Sequence, residues 1–206
     1  STGTNLGLGL WEKQSANSAI QGHGQYFSRF RMVHLLGKVY AFHSYPSTDR
    51  NDNGDCAMYV FDPPTHDKHG EWRVANTNIN TIVFQGGNYY VLDPGQSRSL
   101  FTFATAGSAK IILSGGWDGV NVLGDTWLAQ NKPHPDDGTS YFDFVDITDA
   151  TGPHIPSRKD SAVFQYENHL IVFGGLVSAS KLRSSLTRKM YSDKLWILYN
   201  METYVQ

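Results

Sequence analysis

Residues 161–175 read SAVFQYENHLIVFGG. Two apolar runs, AVFQY and HLIVF, flank Glu167, Asn168 and His169, and Gly174-Gly175 closes the second run. Short β-branched and aromatic runs separated by a few polar residues predict a β-hairpin, and the glycines let the chain turn with φ > 0. The pattern recurs. SRFRMVHLLGKVYAFHS (28–44) and SRSLFTFATAGSAKIILSGG (97–116) each open on Ser-Arg and place two strand-like runs across a turn, split in the first by Gly37 and Lys38. The third copy opens at Ser157-Arg158, so the arginines fall 69 and then 60 residues apart. Self-similarity of this kind marks a repeat protein, built by reusing one supersecondary unit.

Each hairpin is followed by a variable loop and further strand-like runs. In the first unit YPSTDRNDNGD (45–55) leads to AMYVFDP, and after PTHDKHGE the pattern resumes at Trp72. In the second, GWDGVNVLGD leads to a third strand, TWLAQ, and the polar stretch NKPHPDDGTS to a fourth, YFDFVDI (141–147). In the third, LVSASKLRSSLTRKMYSD leads to KLWILYN and METYVQ. Upstream, LGLGLWEK (6–13) reads as a strand ending in Trp11. Between the first two units, TIVFQGGNYYVLDP is a hairpin with Gly86-Gly87 at its tip. It reads as a degenerate unit whose YVLDP copies the YVFDP of 59–63, with an inserted hairpin as the alternative.

Composition bounds the function. The 206 residues suffice for one domain with a sizeable core, or for part of a larger one. Lys+Arg 17 against Asp+Glu 19 leaves no strongly basic footprint for nucleic acid. With 20 Gly, 11 Phe, 11 Tyr and 5 Trp, strands and turns are favoured over helices, and the expected class is all-β. The single cysteine, Cys56, has no internal disulfide partner, and no Asn heads an N-x-S/T acceptor, so a cytoplasmic location is expected. STGTNLGLGL has no basic start or long apolar run, which predicts no signal peptide, and no apolar run approaches the ~20 residues of a spanning helix.

The repeat resembles the kelch repeat: an arginine ahead of strand one, a hairpin ending on Gly-Gly, a variable loop, an Asp before an aromatic strand three, and a late Trp. Here Gly115-Gly116 and Gly174-Gly175 supply the glycines. Asp55, Asp125 and Asp193 supply the Asp, and Tyr59, Trp127 and Trp196 the strand-three aromatic. Trp11, Trp72 and Tyr204 stand at the late aromatic position. The first unit departs from the pattern, with His43-Ser44 in place of Gly-Gly, and the third ends on Tyr. The resemblance covers about 28–72 and 97–206 and is most specific at 157–198. It implies a β-propeller of four-stranded antiparallel blades. The blade units are 28–72, 97–147 and 157–206, with 73–96 as the degenerate or inserted hairpin. Kelch propellers usually have more blades, so the chain is expected to be an incomplete ring, part of a longer chain or completed by another chain. Blades expose apolar faces unless neighbours cover them.

Function follows from the resemblance as an expectation: a non-enzymatic protein–protein interaction scaffold within a cytoskeletal, ubiquitin-ligase or other multi-subunit assembly. The alternatives are a small-ligand or sugar-converting kelch-type enzyme and an actin-binding structural protein. Kelch-like domains tend to place the arginine before strand one near the channel mouth, which makes Arg29, Arg98 and Arg158 candidates for an acidic partner group. The alternative for these arginines is architectural, tying neighbouring blades through carbonyls or carboxylates. Loop candidates for partner binding are Tyr45, Trp117, Asp118, Arg183 and Arg188. No cofactor or metal is expected. DRNDNG (49–54) opens like a calcium loop but has Val60 where the bidentate Glu belongs, and His66 and His69 lack a matching half for zinc. The copper radical oxidases of this class need a cysteine crosslinked to a tyrosine, and Cys56 has no evident counterpart. No nucleophile elbow, phosphate loop or dinucleotide fingerprint is present.

Overall fold

The structure is a computed structural model that describes residues 30–44, 56–65, 70–78, 81–85, 88–92, 98–117, 121–134, 136–148, 155–167, 169–177 and 190–198. Its described elements are almost all strands. The first sheet is an antiparallel meander of β1 (Arg31–Leu35), β2 (Lys38–Ser44), β3 (Cys56–Asp62) and β4 (Glu71–Val74). A two-stranded hairpin follows, β5 (Thr81–Gln85) with β6 (Asn88–Leu92). The second sheet is a second meander, β7 (Thr102–Thr105), β8 (Lys110–Trp117), β9 (Val122–Pro133) and β10 (Ser140–Asp146). The third sheet pairs β12 (Ala162–Tyr166), β13 (His169–Phe173) and β16 (Leu195–Leu198). A small ribbon of β11 (Arg158–Lys159), β14 (Leu176–Val177) and β15 (Met190–Tyr191) accompanies it. Among the described residues no sheet closes on itself. Among the described residues no helix is long and apolar enough to cross a membrane.

Turn chemistry sets the hairpin registers. Leu36 and Gly37 both adopt positive φ, 51° and 75°, and join β1 to β2 with Leu35 opposite Lys38. Such two-residue turns match the twist of the flanking strands. The turn therefore falls one residue earlier than the Gly37-Lys38 split read from sequence, and Lys38 opens β2. Likewise Glu167 takes φ 51° and His169, expected in the turn, already pairs with Tyr166 in β13.

Alternation along the strands makes two cores. From the first sheet Leu35, Tyr40, Phe42, Met58 and Val60 pack against Phe101, Phe103, Ile111, Leu113, Phe142 and Phe144 of the second. Phe42 is fully buried, with ring centroids of Phe101 and Phe103 at 5.4 and 5.6 Å. Burying one such side chain contributes about 2–3 kcal/mol. The opposite face of the second sheet, Ala104, Ile112 and Leu128, packs on Leu170 and Val172 of the third. β7 accordingly lies beside both β1 and β12. The second sheet is thus covered on both faces, and the first also buries Ala41 and Tyr59 on the face turned away from the second, whereas the third leaves its outer face exposed.

One connection was not readable as such. After β4 the chain lays residues 76–78 along the free edge of β10, with Phe142 N–H donating to the Asn76 carbonyl at 2.9 Å and Thr77 bridging Phe142 in parallel. Asn78 completes the seam: its Nδ2 donates to Asp143 Oδ1 and the Phe144 carbonyl, and its Oδ1 accepts from Phe144 N–H at 2.7 Å. An edge that would otherwise present unpaired backbone groups is covered.

Candidate functional site

The repeated Ser-Arg and Gly-Gly motifs meet at the junction of the second and third sheets. Ser99 and Trp117 exchange backbone hydrogen bonds of 2.9 and 2.8 Å, which anchors the segment carrying Arg98 beside the end of β8. Arg98 is 3% exposed. Its Nη1 donates to the Gly115 carbonyl at 2.8 Å and to Asp125 Oδ1 at 2.9 Å, and its Nη2 donates to Asp125 Oδ2. This is the two-pronged fit of a planar guanidinium to a carboxylate. Asp125 Oδ2 also accepts from Trp127 Nε1 at 2.7 Å. Residues two apart on a strand share a face, so the Asp-x-Trp spacing on β9 delivers carboxylate and indole together.

The third unit repeats half of this arrangement. Arg158 is 4% exposed and donates from Nη1 to the Gly174 carbonyl at 2.9 Å, the counterpart of Arg98 on Gly115. Its Nε donates to the Pro156 carbonyl at 3.1 Å, and its guanidinium carbon lies 5.5 Å from the centre of the Trp196 ring. Burial pushes the Arg158 pKa below the ordinary arginine value.

The glycines serve the same junction. Gly115 and Gly116 adopt φ of 62° and 109°. A Cβ on Gly115 would run into the Arg158 carbonyl oxygen, and one on Gly116 would sit 2.8 Å from the Ser99 carbonyl oxygen. Gly124 is likewise crowded by the Ser157 hydroxyl. The Gly-Gly pair of one unit therefore accommodates the Ser-Arg segments of its own unit and of the next.

Of the residues singled out from sequence, Arg98, Arg158 and Trp117 are brought into one neighbourhood. Trp117 carries Lys159 Nζ 4.2 Å above its ring. Arg29, Tyr45, Asp118, Arg183 and Arg188 lie outside the described residues, as do the DRNDNG loop, His66 and His69. Arg98 and Arg158 are both buried; Arg98 is closed on a carbonyl and a carboxylate of its own unit, whereas Arg158 donates to two carbonyls. Lys159 and Gly124 were missed, since a cation beside an arginine and a glycine ahead of an aspartate carry no signal without the fold.

A second concavity lies between the first two sheets, a cleft of about 280 Å³ lined by Lys38, Tyr40, Arg73, Asn76, Asn131 and Ser140. Asp62 pairs with Lys38 at 3.2 Å and with Arg73 at 2.5 Å. The Arg73 hydrogen bond foremost, and then that of Lys38, hold the Asp62 carboxyl below its usual pKa. Burial raises that of the Tyr40 hydroxyl. Across the cleft Asp143 is engaged by Lys132 at 2.7 Å and by Asn78. Asp62 and Asp143 are thus each paired with a cation, which ties the strands that carry them to their neighbours. Among the described residues no three His, Cys, Asp or Glu side chains group to hold a metal.

No protein-family model matches the chain, and no curated protein matches it.

Proposed function

We propose that this chain is a portion of a kelch-like β-propeller and works as a non-enzymatic protein–protein interaction scaffold. The observation that carries the reading is the uncovered outer face of the third sheet. Phe164, Tyr166, Phe173, Leu195 and Ile197 all lie exposed there, Tyr166 at 60% and Leu195 at 55%. They form one surface, because Phe164 pairs with Ile171, Ile171 with Ile197 and Phe173 with Leu195 across the strands. Contiguous apolar surface of this kind marks an interaction site. The outer face of the first sheet differs: Ala41 and Tyr59 are buried at its centre with Phe30 and Trp72 packed against them, and only Met32 and Val74 beside them are exposed. The equivalent faces of the second sheet are closed by its neighbours, which supports a further blade-like apolar sheet, from another protein or another part of a longer chain, as the natural occupant.

The test replaces Phe164 and Leu195 together with Lys. Both are half-exposed, so the double variant is expected to keep its thermal midpoint while losing self-association and partner capture in sedimentation and cross-linking. An unchanged partner complex would sink the reading. The sugar-converting alternative is distinguished by a ligand-dependent rise in melting temperature that the face variant leaves intact, and the actin-binding alternative by co-sedimentation with filaments.

A further inference from the structure

The second and third units hold their arginines on the same carbonyl and differ in what comes next. Register fixes the correspondence. Trp127 pairs with Leu113 and Thr126 with Ser114; Trp196 pairs with Val172 and Leu195 with Phe173. With Gly115 and Gly174 both accepting from arginine Nη1, Lys194 occupies the position that Asp125 holds in the second unit. Lys194 is exposed and its backbone carbonyl accepts from Gly174 N–H.

Two donors are left over by that exchange. Trp196 Nε1 is buried with no hydrogen-bond partner, whereas its counterpart Trp127 Nε1 donates to Asp125. Arg158 donates to two carbonyls and stacks on that same indole, and among the described residues no carboxylate lies within ion-pair distance of it. Leaving a buried indole N–H unsatisfied costs stability, and a buried cation without a counter-charge costs more. Residues 176–192 contain no Asp or Glu, and Asp193, which the sequence set beside Asp125, is exposed and falls one residue out of register with it. Asp125 itself is 28% exposed while its arginine is 4% exposed, so the carboxylate position in the second unit opens to solvent.

We infer that Arg158 and Trp196 form a binding site for an external carboxylate, which takes the place Asp125 takes between Arg98 and Trp127. The guanidinium receives two oxygens and the indole N–H shares one of them. The chemistry is a planar carboxylate, either a free carboxylic acid or the side chain of an Asp or Glu in a polypeptide. This goes beyond the scaffold reading and does not depend on it, because the outer face of the third sheet takes no part.

The test follows the indole Nε1–H resonance of Trp196 in the ¹⁵N-labelled full chain, assigned by its loss in Trp196→Phe. Probes are sodium acetate, the blocked peptide acetyl-Gly-Asp-Gly-amide, and sodium chloride and inorganic phosphate at matched ionic strength. A saturable downfield shift with acetate identifies a free-acid site, and one with the peptide alone identifies a polypeptide carboxylate. Either supports the inference. Lys194→Asp changes an exposed residue and supplies the carboxylate internally; it is expected to shift the resonance without any probe, to raise the melting temperature and to abolish the acetate or peptide response. Absence of a shift with both probes, an equal shift with chloride or phosphate, or a response that survives in Lys194→Asp overturns it.

Discussion

The Arg158 carbonyl oxygen lies against the α-carbon of Gly115, in the space a side chain there would take. Two sheets are in contact through bare backbone at this point. The residue that allows it belongs to one repeat and the residue that exploits it to the next, so the Gly-Gly and Ser-Arg motifs are two halves of one joint.

Gly115→Ala tests that joint. The substitution meets a φ of 62° and the Arg158 carbonyl together. The left-handed conformation alone costs roughly 1–2 kcal/mol, and the overlap adds to it, so a loss of about 2–4 kcal/mol is expected. Gly37→Ala is the control: its φ is 75°, but a Cβ there meets nothing within 4 Å. It is expected to cost only the roughly 1–2 kcal/mol of the left-handed conformation. Urea denaturation of both variants reads the difference, and equal losses would show that the contact with Arg158 contributes nothing.

Asp125→Asn keeps the shape of the side chain and an oxygen for Trp127 Nε1 while removing the charge facing Arg98. Breaking one partner out of a buried pair typically costs 3–5 kcal/mol, because the other charge stays buried. Since the Asp125 side chain is partly exposed, about 3 kcal/mol is expected. Replacing Arg98 with Met as well should cost less than the sum of the two single changes. A double-mutant cycle with strictly additive losses would contradict the coupling.

Much of this was legible in the sequence, for identifiable reasons. Period-two runs such as AVFQY and HLIVF became β12 and β13, and TIVFQ with NYYVL became β5 and β6, because apolar alternation and turn residues are local signals. The arginine and Gly-Gly recurrence was visible for the same reason. What escaped depended on partners distant in sequence. The stretch NKPHPDDGTS reads as loop, yet Asn131, Lys132 and Pro133 extend β9 because Phe142, Tyr141 and Ser140 lie opposite them. Arg158-Lys159 was expected to lead into its own hairpin, but it pairs with Leu176-Val177 in a separate ribbon. Whether a repeated arginine is presented or buried depends on where Asp125 lies, and that position is set by the β8–β9 register and the irregularity between Ser114 and Gly116.

Asn78→Ala removes three hydrogen bonds that fasten the end of the first sheet's connection to β10. The Phe144 N–H loses its acceptor in a partly buried setting, so a destabilisation of about 2–3 kcal/mol is expected. Amide exchange locates the effect: Phe144 should lose protection more than Leu113 in the middle of β8. Uniform loss across both strands would mean that the seam has no separate stability.

The Asp62 pairs give the acid limb of the stability curve a small, assignable component. The Asp62 pKa in the folded chain lies below the ordinary aspartate value of 3.8, first through the Arg73 hydrogen bond. A group depressed by folding binds fewer protons in the native than in the unfolded state, so it stabilises the fold above its unfolded pKa. That contribution shrinks as pH falls below 3.8 and is gone once the pH has passed beneath the folded value. All three side chains are more than a third exposed, so solvent screening keeps the gain near 0.5 kcal/mol. Asp62→Asn is therefore expected to lower stability slightly at neutral pH and to converge with the wild type in strong acid. Added salt should narrow the neutral-pH gap, since exposed pairs are screened. A gap that widens on acidification, or that ignores salt, would mean that Asp62 acts through packing and not through its charge.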